Sequence, residues 1–318
     1  MKRFILSILL CVTFSVSAAP LTRVVVFGDS LSDNGNLYEF MRHQLPISPP
    51  YFEGRFTNGP VWIEHVMNHY YPDNAREHLL NYAFGGSGVG EDEDDPDESI
   101  FTLRSEVDSY LLAHQDRADA DSLFVLWMGA NNYIAGPDNP EQTITQVNKG
   151  IVRQAERLVQ KGAQHILLAT IPDLGHTPWA IDFELTAEWT DSSLKHNALL
   201  RKNFISLKNQ YPKVEWILLD VDRMFDEALQ FPERYGFINT TGTCYEAAMP
   251  SQSTQQLMQA RAPHVPLFKM LGAVRPSGDA NVCDGYLFFD PIHPSARAHE
   301  LIGHEAIKLF DALGLEFK

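Results

Sequence analysis

Apolar runs rich in β-branched residues recur along the chain at residues 23–27, 122–128, 165–170 and 214–219, with a shorter one at 79–83. Each is short and predominantly apolar, which predicts strands buried on both faces as in a parallel sheet. Helical spacing fills the intervals. Ile151, Ala155, Leu158 and Val159 form one stripe, closed by Gly162. Leu194, Ala198, Leu199 and Leu207 form a second, with Asp191 as its N-cap. The last helix is expected over 296–313, with Leu301, Ile302, Leu309 and Phe310 inward and Gly314 past its end. Strands alternating with helices predict a doubly wound α/β fold with a five-stranded, mostly parallel sheet and helices on both faces. Ligands in such folds sit beyond the carboxyl ends of the strands.

The first residues break this alternation. Met1-Lys2-Arg3 is basic, residues 4–16 are apolar, and Ser17-Ala18-Ala19-Pro20 is small. That pattern predicts a secretory signal peptide over 1–18, cut after Ala18, because the apolar run is too short to span a bilayer. A lipid anchor on Cys11 is disfavoured, since Leu10 stands where a small residue is wanted. Residues 19–318 are then expected to form one domain, secreted or periplasmic. Two cysteines remain, Cys244 and Cys283, and in an oxidising compartment they are expected to pair. They bracket most of an irregular stretch, 234–284, expected to cover part of the sheet's carboxyl edge. The formal net charge of -16 argues against nucleic acid and against electrostatic docking on anionic lipid. A lipid held by apolar contacts remains compatible with it. The acidic run at 91–99 has no EF-hand spacing and is expected to be a solvated loop.

Candidate chemistry collects just after the predicted strands. Ser30 follows the first strand and Gly28, a glycine that would let the chain turn tightly, with a helix expected beyond to add positive potential at the serine. Asp290 and His293 lie three residues apart near the other end. A serine hydroxyl needs a base to take its proton, and the base needs an orienting carboxylate. His293 and Asp290 supply them. Two decoys fall away. His299 and His304 are five apart, so they rotate off a common helix face and do not form a zinc motif. No Gly-x-Ser-x-Gly string occurs, which argues against an α/β-hydrolase elbow.

Four strings carry a family resemblance: Phe27-Gly28-Asp29-Ser30-Leu31-Ser32-Asp33-Asn34-Gly35-Asn36, Asn81-Tyr82-Ala83-Phe84-Gly85-Gly86-Ser87-Gly88, Trp127-Met128-Gly129-Ala130-Asn131-Asn132 and Asp290-Pro291-Ile292-His293. In this order they resemble the GDSL family of SGNH hydrolases. The resemblance implies the SGNH hydrolase fold, a flavodoxin-like sheet, and a triad of Ser30, His293 and Asp290. It also implies an oxyanion hole made of the Ser30 and Gly86 backbone N–H groups and the Asn131 side chain, with Gly85 the nearest competitor to Gly86. Asn132 stands where the family usually has Asp. Gly54-Arg55-Phe56-Thr57-Asn58-Gly59-Pro60-Val61-Trp62 and Ile171-Pro172-Asp173-Leu174-Gly175 extend the likeness. It is greatest to the secreted bacterial branch of lysophospholipases, phospholipases A and glycerophospholipid:cholesterol acyltransferases. The implied function is lysophospholipase A activity, without metal or cofactor, in a monomer with transient membrane or micelle contact. Acyl transfer to a sterol, hydrolysis of carbohydrate or short-chain esters, and a non-catalytic binding role are the alternatives.

Overall fold

The structure, a computed structural model, describes residues 20–90, 101–247 and 283–318. The expected signal peptide, the acidic run and most of the cysteine-bracketed stretch lie outside the described residues. Five strands, β1 (Arg23–Gly28), β2 (Leu79–Asn81), β3 (Ser122–Trp127), β4 (His165–Ala169) and β5 (Glu215–Leu219), form one sheet in the order β2-β1-β3-β4-β5. Every pairing is parallel. This is the flavodoxin-like order, which reverses direction between β1 and β3 and opens a crevice at their carboxyl ends.

Alternate side chains of each strand point to opposite faces, and both faces are covered. Val24, Val26, Leu123, Val125, Leu167 and Ile217 pack against α2 (Trp62–Tyr70), α8 (Val221–Gln230) and α10 (Ala296–Leu313). Val25, Phe27, Phe124, Leu126, Ile166 and Leu168 pack against α3 (Leu103–Ala113), α5 (Pro140–Lys161) and α7 (Thr186–Gln210). α10 follows its predicted bounds: Ser295 caps its start by accepting from the Ala298 N–H, and Gly314 ends it in the left-handed conformation.

α7 departs from the predicted stripe. It begins at Thr186, Asp191 sits inside it and pairs with Lys195, and Leu194 and Ala198 face solvent. Its buried face is instead Ser192, Ser193, His196 and Asn197, with Leu200 and Leu207 beyond. The reason lies in what it covers. The Asn197 amide accepts from the Ile171 N–H at 3.0 Å and donates to the Ile171 carbonyl at 2.8 Å, while Ser193 Oγ accepts from the Leu174 N–H at 3.1 Å. A loop with unpaired backbone groups requires polar partners, so that face is polar although buried.

The part of 234–284 that is described is ordered. β6 (Asn239–Thr243) and β7 (Tyr286–Phe288) make a separate two-stranded parallel sheet, and α9 (Cys244–Ala247) follows β6 directly. Cys244 and Cys283 are joined by a disulfide with a Cα–Cα distance of 5.0 Å. The bridge is buried among Tyr51, Phe56, Tyr245 and Phe289, so it packs into the body of the protein and not only over its rim.

Candidate active site

Ser30 lies at the carboxyl end of β1, beside the crevice. The helix expected after it does not form. Asp29 instead organises turns, its side chain accepting the Leu31 N–H at 3.0 Å and its carbonyl accepting those of Ser32 and Asp33. The first helix, α1 (Asn36–Phe40), comes later and has five residues. Nor is Gly28 a turning point. A Cβ there would stand 3.0 Å from the Trp127 carbonyl and 3.3 Å from Ser32 Cβ, so the glycine permits close packing of β1 on β3.

The loop after β7 brings Asp290 and His293 to Ser30. His293 Nε2 is 2.8 Å from Ser30 Oγ, and the Nδ1–H donates to Asp290 Oδ2 at 2.6 Å. Asp290 Oδ1 accepts the N–H groups of Ile292 and His293 at 2.9 and 2.7 Å, and Oδ2 also accepts from the Tyr51 hydroxyl at 2.8 Å. Asp290 has no exposed surface and His293 is 4% exposed, so their pairing is shielded from water. The loop closes on itself through the Phe289 N–H to the His293 carbonyl at 2.8 Å. The Gly54–Trp62 block braces it from outside. Thr57 Oγ1 donates to the Pro294 carbonyl, Asn58 Oδ1 accepts the Ala296 N–H, and the Phe56 ring lies 5.1 Å from the His293 ring.

Asn131 follows β3 at the start of α4 (Ala130–Ile134) and donates through Nδ2 to the Ser87 carbonyl at 2.7 Å. Among the described residues the second Nδ2 hydrogen meets no acceptor. Gly129 turns the chain between them at φ 126°, where a Cβ would meet His196 and Val147 at 3.0 Å. A small, partly open cleft is lined by Ser30, Asn131 and His293 together with Leu31, Ile134, Pro172, Leu174, Phe225, Phe288 and Ile292. Its walls are mostly apolar. Pro172 and Leu174 belong to the segment for which the sequence suggested no role. Gly86 is not among the lining residues, yet its N–H meets no acceptor among the described residues, whereas the Gly85 N–H donates to Asp33 Oδ2 at 2.8 Å. Of the two glycines, Gly85 has its N–H engaged and Gly86 does not, among the described residues.

The GDSL-like Lipase/Acylhydrolase family profile matches residues 24–306. The chain belongs to this family. It is 33% identical to a phosphatidylcholine-sterol acyltransferase of Aeromonas hydrophila, over 98% of both chains. It is 29% identical to the secreted effector protein SseJ of Salmonella typhimurium and 24% identical to the thermolabile hemolysin of Vibrio parahaemolyticus, covering 90% and 91% of this chain. It spans only 62% and 63% of those two relatives. The GDSL family makes the chain an ester hydrolase or acyltransferase.

Several residues of this GDSL protein have roles that its sequence did not suggest. Asn132 Oδ1 accepts the Val89 N–H and its Nδ2 donates to the Val89 carbonyl, both at 2.9 Å. That clamp needs a donor and an acceptor, which an amide supplies and a carboxylate does not. Asp33 accepts four N–H groups, from Gly35, Asn36, Leu37 and Gly85, and so ties the serine turn to the glycine block. Glu106 accepts the Gly28 N–H at 2.8 Å from beneath. Its signal was a carboxylate on the same helix face as Leu103, Val107 and Tyr110. Burial pushes the Asp29 and Asp33 carboxyls up to about 6 and Glu106 well above the usual carboxylate range. His299 is also buried, held down to about 3, and its Nδ1 accepts the Trp62 N–H at 3.2 Å, so this imidazole is already occupied.

Proposed function

We propose that this chain is an exported serine acylhydrolase that releases fatty acyl chains from lysophospholipids. The observation that carries this reading is the hydrogen-bonded run Asp290–His293–Ser30 opening on a cleft with mainly apolar walls. In the first half-reaction His293 Nε2 takes the Ser30 proton as Oγ bonds to the ester carbonyl carbon. The carbonyl electrons move to oxygen, where the Asn131 amide and the Ser30 and Gly86 N–H groups supply donors for the developing charge. Collapse breaks the bond to the glycerol oxygen, which receives the proton from His293. The acyl group is left on Ser30. Water then attacks with His293 again as base, and the fatty acid leaves. Asp290 stays ionised and supports the imidazolium throughout. The protein acts as a monomer, meets lipid transiently at a membrane or micelle, and takes no metal or cofactor. The first 18 residues direct its export.

A second reading has its own support in the Aeromonas hydrophila relative named as a phosphatidylcholine-sterol acyltransferase. There a sterol hydroxyl would replace water as the acyl acceptor, with the same residues. The test is one experiment with two parts. A fluorophosphonate should label the purified protein, while Ser30→Ala should abolish both labelling and turnover. Fatty acid release from lysophosphatidylcholine should exceed acetate release from p-nitrophenyl acetate. Label on another serine sinks the site. Sterol ester forming faster than free fatty acid, in vesicles containing cholesterol, replaces the first reading with the second.

A further inference from the structure

We infer that Tyr51 is a fourth member of the array, a positioning residue that sets how much negative charge Asp290 presents to His293. The inference rests on the reading of His293 as the base. Four donors among the described residues reach the Asp290 carboxylate. Three belong to its own loop: the N–H groups of Ile292 and His293 and the imidazole of His293. The fourth is the Tyr51 hydroxyl, 239 positions away in sequence and 2.8 Å away in space, on the same Oδ2 that accepts from the imidazole.

The ring that carries this hydroxyl is fixed on several sides. Phe56 and Phe289 meet it edge to face at 6.0 and 5.1 Å, and Tyr245 lies tilted at 5.5 Å. Tyr245 follows Cys244, whose disulfide to Cys283 belongs to the same cluster. Burial and the neighbouring carboxylate push the Tyr51 hydroxyl well above its ordinary value, so it remains a neutral donor at every working pH. Two donors on one oxygen share its charge. The bond Tyr51 makes to Oδ2 therefore weakens the support Asp290 lends to a protonated His293. The other titratable groups that act on this pair are Asp29 and His299 around His293 and Tyr245 near Asp290.

The test is the titration of His293, followed by NMR in protein carrying 15N-labelled histidine. Tyr51→Phe keeps the ring and its packing and removes only the hydroxyl. The His293 titration should move upward by about one pH unit, the scale set by one hydrogen bond to a charged group. The acid limb of kcat/KM on a short soluble ester should move up with it. Site-specific 3-fluorotyrosine at position 51 makes a stronger donor and should move the same titration downward, which covers the case of a poorly folded Phe variant. A His293 titration that stays put or shifts the wrong way in the folded variants overturns the assignment. The NMR readout needs no turnover. A wild type that fails to label with fluorophosphonate would therefore refute the esterase reading while leaving the Tyr51 result to stand or fall separately.

Discussion

Asp33→Asn tests the claim that one buried carboxylate holds the serine turn and the glycine block in register. Asp33 Oδ1 accepts from Gly35 at 2.8 Å and Asn36 at 2.6 Å, and Oδ2 accepts from Leu37 at 3.1 Å and Gly85 at 2.8 Å. An amide can keep one pair of these. Oriented to keep the shorter bonds to the turn, it points its NH₂ at the Leu37 and Gly85 N–H groups, and two buried donors lose their acceptor. Each such loss costs about 1–3 kcal/mol, so the substitution should destabilise the fold by about 4 kcal/mol. That is a large share of a domain's stability but short of all of it. Urea unfolding at pH 8 is the assay, because the native Asp33 carboxyl, pushed up to about 6, is ionised there. The catalytic consequence follows from Gly85. If Gly86 is an oxyanion donor as proposed, releasing Gly85 leaves Gly86 unaimed, and kcat on a short ester should fall about tenfold or more with KM less affected, as for other misplaced oxyanion donors. A loss below about 1 kcal/mol with kcat unchanged would refute the reasoning, because it would mean that the four N–H groups do not depend on this carboxylate.

Asn131→Ala should lower kcat by about 10²–10³ while KM changes less, since the tetrahedral oxyanion needs the donor more than the ground-state ester does. Normal kcat with raised KM would reassign Asn131 to binding. Asp29 predicts a pH effect. Its carboxyl is raised from 3.8 to about 6 in the fold, so the unfolded chain ionises first. Its stabilising contribution is therefore full below about pH 4 and is lost as pH rises through about 6, by up to about 3 kcal/mol. Asp29→Asn should flatten the fall in urea midpoint between pH 4 and pH 7, and an unchanged slope would count against the raised carboxyl.

How much of this was legible depended on whether a residue's partner was apolar and nearby in sequence. The five strands were legible because short, mostly apolar runs recur between the helical stretches, and their ends differ by only one or two residues from the prediction. α10 was legible because Ser295 and Gly314 punctuate it. The α7 stripe was not. Its buried face answers to the backbone of the Ile171–Leu174 loop, and polar satisfaction leaves no hydrophobic period. Ser30, Asn131, Asp290 and His293 stood out as strings, but the helix imagined after Ser30 overlooked what Asp29 and Asp33 do to the following N–H groups. Tyr51 carried no local signal at all. It lies between Pro50 and Phe52, and only the folded chain sets it against Asp290. That the Gly85 N–H is already engaged was likewise invisible, because the carboxylate that accepts it lies some fifty positions away.

His293 and Asp290 share one self-closed loop, whereas Ser30 enters from β1, on a different sheet from the β7 strand that leads into that loop. In mechanical terms the array has two joints of very unequal stiffness. The imidazole and its carboxylate travel as one piece, because Asp290 is tied to the loop's own N–H groups as well as to the ring. Breathing between the small sheet and the large one is felt at the 2.8 Å gap between Nε2 and Oγ, so catalytic readiness reduces to a single coordinate. Thr57, Asn58 and Phe56 hold the His293 loop from a third direction, and Trp62 Nε1 donates to Ser32 Oγ at 3.0 Å on the serine turn, so one block grips both sides of the joint. The block between Gly54 and Trp62 thus acts as the spring that sets the resting width of the gap.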